Sequence, residues 1–176
     1  MSLRSTLLLS TLGAAALLTG CATTAPQGEV IRYQAPNARI AKAVELTVGT
    51  NLVFLSGKVP SVIDKSKAPT DPAAYGDMEA QTMSVLQSIE AQLKELNMTM
   101  ADVIKVQVFM VKDPNKGNKA DVAGMNKAFG KFFGTGANQP HLPSRSAFEI
   151  AGLNNPNWLV EIEVAAVRGG SKATIK

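Results

Sequence analysis

Two segments of this chain alternate with a period of two, two others repeat with the period of a helix, and their order leaves few folds open. Val103 to Val111 places Val106, Val108 and Met110 on one side and Lys105, Gln107 and Phe109 on the other. In Leu159 to Val167, Val160, Ile162, Val164 and Ala166 share one face, while Leu159, Glu161, Glu163 and Ala165 share the opposite one. Both patterns predict strands. Ahead of them, Met78, Val85, Ile89, Leu93 and Leu96 fall at helical spacing, with Gln81, Glu90 and Lys94 on other faces. Asp77 is suited to cap the start of that helix, and Asn97 to take the left-handed position past its end. Ala120 to Phe133 predicts a second helix, with Val122, Met125, Phe129 and Phe132 on one stripe and Gly134 and Gly136 as its stop. Strands, helix, strand, helix, strands is the order of an α+β domain: a mixed sheet with two helices on one face.

The remaining elements are shorter. Val30 to Tyr33 is a candidate first strand. Ala43 to Val48 and Leu52 to Leu55 read as a hairpin turning at Gly49-Thr50-Asn51. Pro60 to Tyr75, rich in proline and charge, is a loop, and Asp113 to Asn118 a turn. Ser146 to Ala151 is a strand joined to the last one through Asn154, Asn155 and Pro156.

The N-terminus has a different logic. Arg4 precedes an apolar stretch from Leu7 to Leu18, shorter than the about 20 residues a membrane span needs. It ends in Leu18-Thr19-Gly20-Cys21, and Cys21 is the only cysteine. This resembles the lipobox of bacterial lipoproteins, in which the cysteine is lipidated after cleavage. The expected division is a signal peptide over 1–20, a lipidated tether over 21–36, a folded domain over 37–170 and a tail over 171–176. Thr23 to Glu29, small and polar with Pro26 and Gly28, suits a tether. Ala22 in place of Asp after the cysteine favours, by known sorting rules, the outer membrane. Loss of Arg4 with the signal lowers the formal charge from +4 to +3, too mild to imply nucleic acid as a partner.

Several chemistries have no residues to run them. His141 is the only histidine, no metal-ligand spacing exists, and no dinucleotide or phosphate-loop glycine pattern is present. What remains are polar residues that break strand or helix logic. Glu161 and Glu163 share a face of an otherwise apolar strand, where a carboxylate must be paired, wet, or in a pocket. Arg145 opens the preceding strand after Pro143, and pairing of neighbouring strands would bring it near Glu161. Such a pair is either a structural ion pair at a sheet edge or a site in which guanidinium grips an anionic ligand. Asn126 is either a solvated helix residue or a contact.

Along the chain these residues fall into pieces that resemble one family. Leu55-Ser56-Gly57-Lys58-Val59-Pro60 resembles the "SGQIP" segment of the Rid (YjgF-type) family of reactive-intermediate deaminases. Asp77 to Thr82, Val103 to Phe109, and Met125-Asn126 followed by Phe132-Phe133 continue the likeness. Pro143 to Ala151 resembles the "P-x-R-S-x-x-E-V-A" signature, and Leu159 to Val167 the closing "V-E-I-E-A-I-A" strand. The resemblance spans about residues 40–168. It implies a chorismate-mutase-like α+β fold and a barrel-forming homotrimer with ligand clefts between subunits. It also implies hydrolysis of 2-imino acids or their enamines to 2-keto acids and ammonia without metal or organic cofactor. Carried over position by position, Arg145 would hold the substrate carboxylate and Glu161 would aim the water. Ser56, Asn126 and the backbone of Ala147 would line the cleft. Where the family usually has a ligand-facing tyrosine this chain has Ile40, preceded by Arg39; the loops Val62–Tyr75 and Lys112–Lys119 look long.

Three functions follow as expectations: an envelope-anchored imine deaminase, a non-catalytic binder of a small carboxylate in the same cleft, and, least favoured by location and charge, cleavage of RNA.

Overall fold

The structure, a computed structural model, describes residues 28–137 and 139–176. Cys21, the expected signal peptide and the tether before Gly28 lie outside the described residues.

The first helix, α1 (Met78–Glu95), starts where its cap residue dictates: the Asp77 side chain accepts a hydrogen bond from the Ala80 N–H at 2.9 Å. Glu79 in its first turn and Lys94 in its last complement the helix dipole. Asn97 follows with φ +54, the left-handed turn its amide side chain tolerates. The second helix, α2 (Val122–Phe129), is shorter than the expected Ala120–Phe133, because Gly130 ends it four residues early. Its first stripe residue, Val122, is 46% exposed, while Met125 and Phe129 are buried.

Both helices cover one face of a four-stranded mixed sheet built from β3 (Leu52–Lys58), β4 (Val103–Val111), β5 (Ser144–Ile150) and β6 (Val160–Val167), in the order β3-β6-β4-β5. β4 and β5 run parallel, joined across α2, and the other pairs are antiparallel. Val85, Leu86, Ile89 and Leu93 of α1, with Met125 and Phe129 of α2, pack on Val106, Val108, Ile162 and Val164. Each such side chain contributes about 1.5–3 kcal/mol on burial. Gln81, expected on a polar face of α1, is instead buried as a brace. Its amide donates to the carbonyls of Gly76 and Asn157 and accepts from the Leu159 N–H.

The expected hairpin is not formed. β2 (Ala43–Leu46) pairs antiparallel with β1 (Val30–Tyr33), and β3 pairs with β6 in the other sheet. A second, three-stranded sheet results, in the order β2-β1-β7, where β7 (Thr174–Ile175) runs parallel to β1. The domain thus reaches beyond 37–170. Part of the expected tether is strand β1, and part of the expected tail is strand β7. The anchor of this sheet is Arg32, fully buried with its guanidinium hydrogen-bonded to the backbone carbonyls of Ala101, Val103 and Leu142, all in the second half of the chain.

Candidate functional site

β5 is the edge of the four-stranded sheet, held by β4 alone. Leu142 and Pro143 are buried ahead of it and fix its entry. Arg145 pairs in register with Val106, so its side chain shares the helix-covered face. The guanidinium lies 4.4 Å over the Phe129 ring. One nitrogen donates to Asn126 Oδ1 at 2.8 Å, and another touches Met125 Sδ at 3.6 Å. α2 therefore presents Arg145 on an aromatic face with one amide brace, which fixes the plane of the fork. Burial and then the charge of Arg39 lower the Arg145 pKa. No carboxylate pairs with Arg145 among the described residues.

Asn126 and Phe129 also line a cavity of about 900 Å³, closed on its other side by Asn37, Ala38 and Arg39 and at one end by Gly134. Asn37 and Gly134 both have positive φ, +59 and +91, and these bends fold the two loops over the helix end. The rim lysines Lys127 and Lys131 both pair with Glu79, at 2.7 and 3.3 Å, which offsets one of their two charges.

The other expected residues sit elsewhere. Glu161 pairs with Phe109, on the face away from the helices. Arg145 and Glu161 therefore lie on opposite faces, with β4 between their strands. They are not the neighbouring pair expected from the sequence, and the structural ion pair between them does not exist. Glu161 leans instead on β3. The register of β3 against β6 shifts between Leu55 and Lys58, and Gly57 in that bulge leaves the space that the Glu161 carboxylate fills. Exposed Ser56 adjoins it. Asn126 meets Arg145, and Ala147 follows Arg145 on the same side of β5, exposed. Ile40 is half-buried against the core. The Tyr75 hydroxyl donates to the Pro69 carbonyl and Tyr33 donates to Glu45, so neither phenol is turned to Arg145. Among the described residues no group of three or more His, Cys, Asp and Glu side chains is arranged to hold a metal, and no helix is long and apolar enough to cross a membrane.

Sequence reasoning missed two features. One is the role of Gly57, signalled only by its place in the "SGQIP"-like segment. The other is that Arg39 lines the same cavity as Asn126 and Phe129, the residues that hold Arg145, which no local pattern announces. The family model described as endoribonuclease L-PSP matches residues 33–168. A RutC family protein of Haemophilus influenzae is 33% identical over 140 residues, 80% of this chain and 97% of its own length. The chain belongs to the Rid family. A RutC family relative from Pyrococcus horikoshii is 35% identical over 118 residues, covering 67% of this chain and 80% of its own. The YEO7 protein of yeast superposes with a TM-score of 0.50 at 27% identity, covering 80% of this chain and 97% of that one. The Rid family protein YyfB of Yersinia pestis shares the fold, with a TM-score of 0.58 at 22% identity over 81% of this chain and all of that one. The Rid fold thus accounts for the four-stranded sheet, both helices and the edge position of Arg145.

Proposed function

We propose that this Rid protein hydrolyses small 2-imino acids, or their enamine tautomers, to 2-keto acids and ammonia. The observation that carries this reading is Arg145: a half-buried guanidinium, oriented by Phe129 and Asn126, that has no carboxylate partner among the described residues. A substrate carboxylate would supply the missing acceptor, in bidentate form.

The second half of the site, Ser56 and Glu161, lies toward the opposite sheet edge, so one chain does not complete it. A head-to-tail ring would join the β5 edge of one copy to the β3 edge of the next. The sheet face away from the helices supports such a ring, since it leaves Phe54 76%, Phe148 47% and Leu52 43% exposed. In a ring of three, Arg145 holds the carboxylate and Glu161 of the neighbouring copy aims the water. As the water oxygen bonds to the imine carbon, one of its protons passes through Glu161 to the nitrogen and the π pair moves there. The hydroxyl proton then follows the same route. The C–N bond breaks with its pair on nitrogen, and 2-keto acid and ammonia leave. Lipid on Cys21 would hold this assembly at the envelope, in the outer membrane, since two or more acyl chains anchor stably.

The test is loss of 2-iminopropanoate, generated in situ, in the presence of the full chain purified in detergent. RNA serves as the control that the family model's description suggests. Imine loss at the uncatalysed rate would overturn the enzyme reading. Binding of 2-keto acids without turnover would favour the carboxylate-binding alternative, with Ile40 at the tyrosine position as its cause. Mixing Arg145→Ala and Glu161→Gln chains tests the shared site. Random rings should regain about a quarter of the native sites, whereas a site within one chain regains none. Cys21→Ser should abolish acyl labelling; continued palmitate incorporation would remove the anchor.

A further inference from the structure

Val48, between β2 and β3, is 96% exposed, more than any other large apolar side chain among the described residues. The turn that carries it is tied down on both sides. The Glu29 N–H donates to Thr47 Oγ1 at 2.6 Å, and the Thr47 N–H donates to the Glu29 carbonyl at 3.0 Å. Gly28 lies against Thr50, so close that a Cβ on it would stand 2.4 Å from the Thr50 nitrogen. From the other side, the Arg168 N–H donates to the Asn51 carbonyl at 3.0 Å, and its Nη1 donates to the Leu96 carbonyl, just past α1, at 2.7 Å. Gly28, the turn 47–51, the end of β6 and the end of α1 thus form one pole of the domain. Its exposed charges nearly balance, with Lys94, Arg168 and Lys172 against Glu29 and Glu95.

We infer that this pole rests on the surface of a phospholipid bilayer, with Val48 entering the boundary between headgroups and acyl chains. The inference rests on the lipid anchor proposed for Cys21 and is independent of the imine chemistry. Cys21 and Gly28 are seven residues apart, a span of about 25 Å at full extension. β4 begins at this pole, beside the end of β6, and its nine residues carry the chain about 30 Å away from it. A stance on the opposite end, where Asp113 to Asn118 turn, is therefore out of the tether's reach, whereas the turn 47–51 lies beside the tether's exit. The balanced charges set no strong field against headgroups, and an uncovered valine gains by leaving water. In the ring of three proposed above, cyclic symmetry sets all three tethers at one height along the axis. The ring would then stand on three such contacts, its axis along the membrane normal.

Tryptophan quenching tests this, on the full chain in vesicles of phosphatidylethanolamine and phosphatidylglycerol whose acyl chains are brominated near the headgroup. Val48→Trp should lose about half its emission, because an indole about 5–10 Å into the interface meets the bromines. Asn115→Trp, at the opposite end, should lose less than about a tenth. Both positions are exposed, so neither substitution touches the core. The two variants carry the same indole, so its own preference for the interface cancels, and the unsubstituted chain subtracts the emission of Trp158, its only tryptophan. Equal quenching of the two variants, or none at Val48→Trp in chains that float with the vesicles, overturns the inference and leaves the anchor standing. Shielding of Val48→Trp from acrylamide without quenching by the brominated lipid gives the pole to a protein surface and overturns it as well. Chains that carry no acyl group and do not float overturn the anchor and the inference together.

Discussion

Two arginines of this protein are both desolvated and both lack a bonded carboxylate among the described residues, yet their guanidinium groups are used in opposite ways. Arg32, in β1, is completely enclosed. It donates to the carbonyls of Val103, Leu142 and Ala101 at 3.0, 2.7 and 2.9 Å, with Gly170 at 3.5 Å. Burial lowers its pKa to about 10, against the opposing pull of Asp102. Both of its terminal nitrogens are spent on the backbone, with only the enclosed Nε–H left without a partner, and they tie β1, the start of β4, the entry to β5 and the C-terminal turn into one body. Arg145 donates to one side-chain amide and lies on an aromatic ring, so most of its fork is uncommitted. Burial therefore does not separate a cation locked into the fold from one whose fork is free to take a ligand; the commitment of the terminal nitrogens does.

The comparison is easiest to break at Arg32. Arg32→Met should cost about 3–5 kcal/mol of folding stability, because it strands buried carbonyls that no water reaches. Urea unfolding measures this, and a loss below about 1 kcal/mol would show that the enclosed guanidinium is dispensable. At Arg145 the cost should fall on binding instead. Arg145→Ala should weaken 2-keto acids by about 2–5 kcal/mol, roughly 30-fold to a few thousandfold, with a stability change under about 1 kcal/mol. Arg145→Lys should recover little, since an ammonium lacks the planar fork. A large drop in melting temperature with ligand affinity intact would make the two arginines alike.

Smaller effects sharpen the contrast. A Cβ at Gly57 meets the Glu161 carboxylate, so Gly57→Ala should displace it, lowering kcat about tenfold with less effect on KM. Steady-state kinetics beside Glu161→Gln, which should act in the same direction, checks the role of the bulge. The smallest effect is at His141. Burial first, and then the charge of Arg32, lower its pKa below 6.5. An imidazole with a depressed folded pKa binds fewer protons folded than unfolded. Its contribution to stability is thus full above about 6.5 and is withdrawn as pH falls toward the folded value. NMR titration of the ring should give a midpoint below 6.5, and His141→Gln should flatten the stability slope there. A midpoint at or above 6.5 would mean that the field of Arg32 is screened from its neighbour.

Local periodicity and caps determined much of this protein on their own. α1, β4 and β6 are long enough for their patterns to admit one reading, and Asp77 and Asn97 mark the ends of α1 by chemistry that acts within a few residues. The identities of Arg145, Asn126, Ser56 and Glu161 as candidates were also legible, through motifs carried in order along the chain. Only the tertiary structure decided who meets whom. β2 and β3 are short and adjacent in sequence, but a strand's alternation does not name its partner, and the two joined different sheets. Arg145 and Glu161 sit on consecutive strands, yet β4 runs between them, because the crossover through α2 makes β5 a parallel edge strand. Arg32 reads in sequence as a charge on a weak strand; its burial depends on carbonyls contributed from some seventy to 140 positions away. Arg39 reaches the cavity lined by Asn126 and Phe129, the residues that hold Arg145, for the same reason. Hydrophobic period is a short-range property of the chain, whereas strand order and the satisfaction of buried polar groups are set by contacts that form only when distant segments pack.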